Sequence, residues 1–173
     1  SQENFIESSE LIKKDFRLKS SRKIKNSRWY KKINNKNSVS IHVRRGDYVS
    51  DEVTNSFHGI IGLEFYKAAI KLIRKKIDSP VFFIFSDDIE WCQKNFKLRD
   101  ELNFVDEKWE DFYDLKLMSL CSHNIIANST FSWWAAWLNS NSSKIIICPK
   151  KWFNNDLKNN MSNNLIPHNW ISI

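Results

Sequence analysis

The fold of this chain is decided by the stretch SVSIHVRRGDYV, residues 38–49. Up to Val43, apolar residues alternate with polar ones, which is the period of a β-strand with one buried face. The tripeptide Arg45-Gly46-Asp47 breaks this pattern and is typical of a turn. Two arginines, one histidine and one aspartate therefore gather where a hydrophobic strand ends. In an open α/β sheet, ligands bind at that edge.

Three interpretations are open for this cluster of charges. The paired guanidinium groups of Arg44 and Arg45 suit a phosphate or a carboxylate, which they bind bidentately. A surface salt-bridge cluster beside a turn is the second interpretation. The third is an Arg-Gly-Asp adhesion motif, and no other feature of the sequence is typical of an exposed secreted loop.

Length and composition indicate one globular domain. With 173 residues, 42% hydrophobic residues and eight tryptophans, the chain can bury a sizeable core. No run of about 18 apolar residues occurs, so we expect no membrane-spanning helix. Cys92, Cys121 and Cys148 lie far apart and in no metal-binding pattern, which indicates buried free thiols rather than zinc ligands. Free thiols are typical of a reducing compartment, and together with the Asn-, Lys- and Ile-rich composition they lead us to expect a bacterial cytoplasmic protein.

The net charge of +7 favours an anionic partner. Eleven Lys and Arg residues lie between Lys13 and Lys36, and nucleic acid, a phospholipid surface and solvated charge are all compatible with them. A non-catalytic nucleotide- or RNA-binding module that uses residues 13–36 is therefore an alternative function. Because this segment has few aromatic residues and no RNA-binding signature, we expect no nucleic-acid partner. A peripheral contact of the basic residues with the inner face of the membrane stays open.

The periodicity predicts two parts: an N-terminal helix with a peripheral basic connecting segment at 1–37, and one domain at 38–173. In the second part strands alternate with helices, which predicts a doubly wound, mostly parallel sheet of the Rossmann-like α/β class. The predicted elements are strands at 81–85, 102–105, 124–127 and 144–148, helices at 3–18, 62–77, 89–96, 111–121 and 131–138, and loops at 50–59 and 154–164. Phe112 is expected to face inward, and Trp152 and Trp170 are expected to anchor the tail.

Asp87 and Asp88 follow the most hydrophobic predicted strand and therefore lie at the ligand edge. A carboxylate there can accept hydrogen bonds from a guanine base or from sugar hydroxyls. The spacing Asp87-Asp88-Ile89-Glu90 also fits a capping box, so one aspartate is expected to cap a helix while the other binds a ligand. A metal site is not expected, because the sequence places no third ligand with them.

Asn128-Ser129-Thr130 joins the fourth predicted strand to its helix. Hydroxyl groups at a helix N-terminus, together with free backbone N–H groups, form an anion site. Ordinary helix capping is the alternative. The three residues also form a glycosylation sequon, which we expect to be buried. His42 on the first strand is either structural or close to the ligand, and His58 is expected in a loop near the ligand.

Three ordered blocks of the sequence resemble one family. His42 to Val49 is similar to the HxRRGDY signature of the α-1,2-fucosyltransferases, glycosyltransferase family 11. The segments 85–92 and 111–137 agree in order and spacing, so that the resemblance covers roughly residues 38–153.

The resemblance implies one Rossmann-like lobe of a GT-B enzyme that transfers fucose from GDP-fucose to the 2-hydroxyl of a galactose-terminated acceptor, with inversion and without a metal ion. It implies that Arg44 binds the β-phosphate as the catalytic residue, that His42 lies near the nucleotide, and that Asp87 or Asp88 reads guanine. Asn128, Ser129 and Thr130 would hold phosphate, and Arg45 and Asp47 would contact the donor or support the turn.

Members of the family carry an acceptor lobe before the HxRRGDY block. The chain is therefore expected to be the C-terminal, donor-binding lobe, which binds nucleotide even if it does not transfer sugar by itself.

Overall fold

A computed structural model describes residues 7–16, 22–34, 37–97, 102–154 and 165–173. In these ranges the strands are β1 (Ser38–Val43), β2 (Val81–Ser86), β3 (Leu102–Phe104), β4 (His123–Ile125), β5 (Ile146–Cys148) and β6 (Ile171–Ser172). The helices are α1 (Ser9–Asp15), α2 (Arg22–Asn26), α3 (Arg28–Ile33), α4 (Gly46–Ser50), α5 (Glu52–His58), α6 (Leu63–Lys76), α7 (Ile89–Asn95), α8 (Asp111–Leu120) and α9 (Thr130–Leu138).

The six strands form one parallel sheet in the order β3-β2-β1-β4-β5-β6. The order reverses between β1 and β4, because the chain adds β2 and β3 on one side of β1 and β4 to β6 on the other. This reversal is the topological switch point of a doubly wound sheet, where a crevice opens outside the carboxyl ends of the strands. The predicted fold class is confirmed.

Strand β2 shows how both faces of the sheet are covered. Phe82 and Ile84 pack against α6 and α7, whereas Phe83 and Phe85 pack against α2, α3 and α8. All four side chains are at most 1% exposed. The continuous apolar run is therefore explained by burial on both faces.

The prediction that β1 has one buried face was wrong, because all six of its residues are buried. Its polar side chains are covered by the helices on the second face. Ser40 accepts a hydrogen bond from Asn124 Nδ2 at 2.7 Å, and the same amide donates to the Met118 carbonyl at 2.8 Å. A hydrogen-bonded polar pair therefore replaces apolar packing on this side of the central strand.

The segment before the sheet is not peripheral. Ile24, Trp29 and Ile33 of α2 and α3 are at most 5% exposed and belong to the core on the second face. Of the predicted helix at 3–18, α1 lies within the described ranges and the ends fall outside them. Of the predicted loop at 154–164, only residue 154 is described.

Three further local predictions were wrong. Residues 45–47 do not form a turn, since α4 begins at Gly46, and the predicted loop at 50–59 contains α5. Phe112 is 44% exposed, because α8 turns Tyr113, Leu117 and Met118 inward instead.

The cysteines and the tail agree with the sequence analysis. Cys92, Cys121 and Cys148 are buried and free, as predicted. Trp152 and Trp170 are buried with α9 in a third apolar cluster. In the described ranges, no helix combines the length and the apolar character needed to cross a membrane.

Candidate active site

A cavity of about 450 Å³ opens at the switch point, outside the carboxyl ends of β1, β2 and β4. The first turns of α8 and α9 and the helices α4 and α5 complete its wall. Its lining residues are His42, Arg44, Asp47, Tyr48, Thr54, His58, Phe85, Ser86, Asp87, Asp111, Asp114, Asn128, Ser129, Thr130 and Phe131. It therefore contains seven of the nine residues predicted for the site, with Arg45 and Asp88 outside the lining.

Arg44 lies at the mouth of the crevice, directly after β1. Its Nη2 donates to Asp47 Oδ1 at 2.6 Å, and its Nη1 lies 2.9 Å from Asp87 Oδ2. The guanidinium carbon is 5.5 Å from the centre of the Tyr48 ring. Two carboxylates and one aromatic ring therefore orient this guanidinium group, whose side chain is 33% exposed to an incoming anion.

Asp87 is held by a second donor besides Arg44. Its Oδ1 accepts a hydrogen bond from the backbone N–H of Arg45 at 2.8 Å. A side chain at position 46 would collide with this carboxylate, because a Cβ there would lie 2.7 Å from Asp87 Oδ2. The glycine in the RRGDY stretch is thus explained by the close approach of this carboxylate to the backbone.

The neighbouring pair, Arg45 and Asp88, does not line the cavity. Asp88 Oδ1 caps α7 by accepting from the backbone N–H of Trp91 at 3.1 Å, and its Oδ2 accepts from Arg45 Nε at 3.1 Å. The Arg45 guanidinium lies 3.7 Å from the centre of the Trp91 ring. The prediction that one aspartate caps a helix is confirmed for Asp88, and Arg45 supports α4 and α7 instead of facing the cavity.

The N-terminus of α9 forms the wall opposite Arg44. Ser129 occupies the N-cap position, yet its hydroxyl makes no capping hydrogen bond, and Thr130 begins the helix. The hydroxyls of both residues and the first backbone N–H groups of α9 are therefore available as donors at a helix end that favours anions.

Asn128 has a different role from its two neighbours. Its Nδ2 lies within hydrogen-bond distance of three backbone carbonyls: those of His58 at 2.9 Å, Gly59 at 3.3 Å and Trp152 at 3.2 Å. The amide therefore ties the end of α5 and the tail to the floor of the cavity. Asn128 is 3% exposed, as expected for a sequon in the interior.

His42 is 5% exposed and its ring centre lies 5.6 Å from that of Phe131. Burial, and to a lesser extent the positive charge of Arg44, lower the pKa of His42 to about 3. Its Nδ1 has no hydrogen-bond partner in the described part of the chain. His42 is therefore a neutral imidazole in the cavity wall at physiological pH.

His58 also lines the cavity, from the end of α5 rather than from a loop, with its ring stacked 4.9 Å from that of Tyr48.

Two carboxylates of α8 were missed as site residues. Asp111 and Asp114 both line the cavity from the first turn of this helix. Burial raises the pKa of Asp114 to about 6, against the effect of a hydrogen bond that Trp109 Nε1 donates at 2.7 Å. In the sequence, acidic residues in the first turn look like ordinary partners of the helix dipole, so only their spacing of three residues could have indicated a shared face.

The charges that line the cavity are unequal. One guanidinium group, that of Arg44, faces the four carboxyl groups of Asp47, Asp87, Asp111 and Asp114. No three His, Cys, Asp or Glu side chains of the described ranges converge as metal ligands.

Comparisons with known proteins agree on one family. The sequence model described as Glycosyl transferase family 11 matches residues 3–173. The chain is 38% identical over 148 residues to the O-antigen biosynthesis glycosyltransferase WbnK of Escherichia coli, covering 83% of this chain and 48% of that protein. It is 40% identical over 141 residues to an alpha-1,2-colitosyltransferase of Escherichia coli, covering 79% of this chain and 48% of that protein.

A more distant relative is human galactoside alpha-(1,2)-fucosyltransferase 1. The identity is 33% over 107 residues, which cover 58% of this chain and 28% of that protein. The chain spans about half the length of the two bacterial relatives, and less of the human one.

Proposed function

The chain belongs to glycosyl transferase family 11, and from this premise we propose that it is the donor-binding lobe of a GT-B enzyme that transfers fucose from GDP-fucose to the 2-hydroxyl of a galactoside. In this proposal the reaction inverts the anomeric centre and requires no metal ion. The names of two relatives support it, since they describe α-1,2 transfer of a colitosyl and of a fucosyl group.

One observation carries the proposal: groups suited to a diphosphate stand on both sides of the switch point. Arg44 offers a guanidinium group after β1, and Ser129 and Thr130 offer hydroxyl and N–H donors at the start of α9. Bidentate guanidinium groups and helix N-termini both bind phosphate without a metal ion.

In this proposal the carboxyl group that recognises guanine is that of Asp114, instead of Asp87 or Asp88. Asp87 is engaged by Arg44 and by the Arg45 backbone, and Asp88 caps α7. Asp114 is a partly buried carboxyl group in the cavity wall that accepts a hydrogen bond from Trp109 Nε1. A carboxylate there matches the N1–H and amino group of guanine, whereas uracil offers a single N–H.

In the proposed reaction, negative charge develops on the leaving GDP as the bond between fucose and the β-phosphate breaks. Arg44 would stabilise that charge, and a single well-placed donor contributes about 3–4 kcal/mol to such a transition state. Neutral His42 can offer a hydrogen bond next to Arg44 without adding a second charge.

The alternative, a nucleic-acid-binding module, is not favoured. In the basic segment, Arg28 lies 2.5 Å from Asp106 and 3.4 Å from Glu107, and Lys23 lies 3.4 Å from Glu110. These two cations of the basic segment therefore pair with the acidic segment before α8 and are partly neutralised by it. Contact of the remaining basic residues with a membrane surface stays a proposal.

Calorimetric titration of the chain with GDP, GDP-fucose and UDP tests the proposal. We expect binding of GDP and GDP-fucose, unchanged by a chelator, and affinity for UDP that is roughly ten- to hundredfold weaker, because a buried carboxylate left without its partner costs about 1–3 kcal/mol. Equal affinity for GDP and UDP, or binding that is lost with the chelator, would overturn the donor assignment.

A further inference from the structure

The two carboxylates that contact Arg44 are held in different ways. Asp87 is anchored by two donors, the guanidinium of Arg44 and the backbone N–H of Arg45, and its side chain is 25% exposed. Asp47 is 49% exposed, and Arg44 is the one described group that donates to its carboxylate. The first carboxylate is therefore fixed to the backbone, whereas the second is free to leave.

Gly46 strengthens this difference. It lies between Arg45 and Asp47, and the absence of a Cβ lets Asp87 approach the backbone of the 45–46 segment. The contact of Asp87 is thus built into the end of β1 and the start of α4. No comparable contact restrains Asp47 among the described residues, apart from the helical hydrogen bond from Asp51 N to its backbone carbonyl at 3.0 Å.

The position of Asp47 is also informative. Its Oδ1 accepts a short, charge-assisted hydrogen bond from Arg44 Nη2 at 2.6 Å, and a guanidinium group makes the same kind of bond with a phosphate oxygen. The cavity already carries four carboxyl groups against one guanidinium group. A diphosphate that entered without displacing any of them would bring further negative charge close to these carboxylates, and like charges repel at short range.

We propose that Asp87 positions Arg44 for the diphosphate of the donor, whereas Asp47 occupies the place that a phosphate oxygen takes, so that donor binding displaces Asp47 from Arg44. The proposal rests on the proposed function, because it assumes a nucleoside diphosphate in this cavity. It assigns opposite roles to two aspartates that make the same kind of contact with the same guanidinium group.

The two substitutions Asp47→Asn and Asp87→Asn remove the same charge from the same arginine and therefore control for each other. Glu64→Gln removes one charge from an exposed residue of α6 that does not line the cavity, and serves as the matched control for net charge. The readout is the ratio of the affinities for GDP and guanosine by calorimetry, because guanosine lacks the phosphate groups. Thermal unfolding of each variant checks that it is folded.

We expect Asp47→Asn to raise this ratio about two- to fivefold, the effect of removing one exposed competing carboxylate. Asp87→Asn is expected to lower it about tenfold, because Arg44 loses the partner that orients it. Glu64→Gln should change it less than about twofold, since salt screens distant surface charges.

Three results would overturn the proposal while leaving the proposed function intact. A rise in both aspartate variants would mean that only the net charge of the cavity matters. A fall in both, or in Asp47→Asn alone, would mean that Asp47 holds Arg44 in place. Failure of the unsubstituted chain to bind GDP or guanosine would instead overturn the proposed function, and this inference with it. If Asp87→Asn does not fold, Asp111→Asn replaces it as the control for a lost cavity carboxylate, and an equal rise in Asp47→Asn and Asp111→Asn would then overturn the proposal.

Discussion

Two Arg–Asp pairs stand side by side in this molecule and serve different purposes. Arg44 and Asp87 face the cavity, whereas Arg45 and Asp88 face away from it and hold α7 through a helix cap and the Trp91 ring. The pairs consist of the same two residue types, adjacent in sequence, at the ends of the neighbouring strands β1 and β2. One residue of shift after each strand therefore separates a pair that lines the cavity from a pair that holds a helix.

Replacing each arginine by alanine tests the difference between the two pairs most directly. Arg44→Ala should reduce GDP affinity by about a hundredfold or more, because two charge-assisted hydrogen bonds to phosphate are lost, and it should abolish transfer in a full-length relative. Arg45→Ala should leave GDP affinity within a few fold and lower the free energy of unfolding by about 1–3 kcal/mol. Calorimetry and urea unfolding measure the two effects, and an unchanged turnover in Arg44→Ala would remove that residue from the mechanism.

Asp114→Asn extends the comparison to a third carboxyl group. We expect GDP affinity to fall roughly tenfold or more while UDP affinity changes little, since the amide no longer accepts both guanine donors. The GDP to UDP ratio measured by calorimetry gives the answer. Asp111→Asn is the matched control on the same helix turn, and an equal loss in both variants would contradict a specific base-reading role for Asp114.

The pH dependence of binding follows from the same residue. Burial raises the pKa of Asp114 to about 6 in the free protein, so its carboxyl group takes up a proton as the pH falls through 6. Since we assign the charged form to guanine binding, GDP affinity should decline below about pH 6, and Asp114→Asn should remove that decline. For folding the sign is opposite: protonation stabilises the folded state at low pH, and this contribution is lost as the pH rises from about 4 to 6.

Gly46→Ala should disturb the cavity pair without changing any charge. The added Cβ would lie 2.7 Å from Asp87 Oδ2, so the carboxylate must move away from Arg44 and from the Arg45 backbone. We expect a destabilisation of about 1–3 kcal/mol together with weaker GDP binding. Gly62→Ala is the control, because a Cβ there meets nothing within 4 Å. Equal effects of both substitutions would show that backbone freedom, rather than the approach of Asp87, requires the glycine.

The smallest effect is expected at the surface. Arg28→Ala removes contacts with Asp106 and Glu107. Because the Arg28 side chain is 59% exposed, the free energy of unfolding should change by less than about 1 kcal/mol. GDP binding should not change. A large loss of GDP affinity in this variant, measured at two salt concentrations, would indicate that the basic segment is a binding surface.

Much of the architecture could be predicted because it depends on patterns that the sequence displays. The apolar run at 81–85 predicts a strand covered on both faces, and the stripe at 62–77 predicts α6. The short β6 and α5 have no such pattern, since β6 exists through pairing with β5 and α5 through the Asp51 cap, whose carboxylate accepts from Thr54 N at 2.6 Å. Tertiary pairing and a single cap decided these elements.

The site was predictable in position and less so in detail. Strand ends place Arg44, Asp87 and Ser129 at one edge, which the alternation of strands and helices already implies. The sequence does not tell which of two adjacent residues faces the cavity, because that depends on the rotation of each strand end. Asp114 was not predicted, because an acidic residue in the first turn of a helix looks like an ordinary partner of the helix dipole.

We propose that a guanine nucleotide binds at the β1/β4 switch point, between Arg44 and the start of α9. Backbone amide shifts of the ¹⁵N-labelled chain during titration with GDP test it most directly, since each amide reports on its own surroundings. The expected result is that the largest shifts fall at residues 44–48, 111–114 and 128–131. Shifts confined to residues 22–33, or scattered evenly over the surface, would contradict binding of the nucleotide at the switch point.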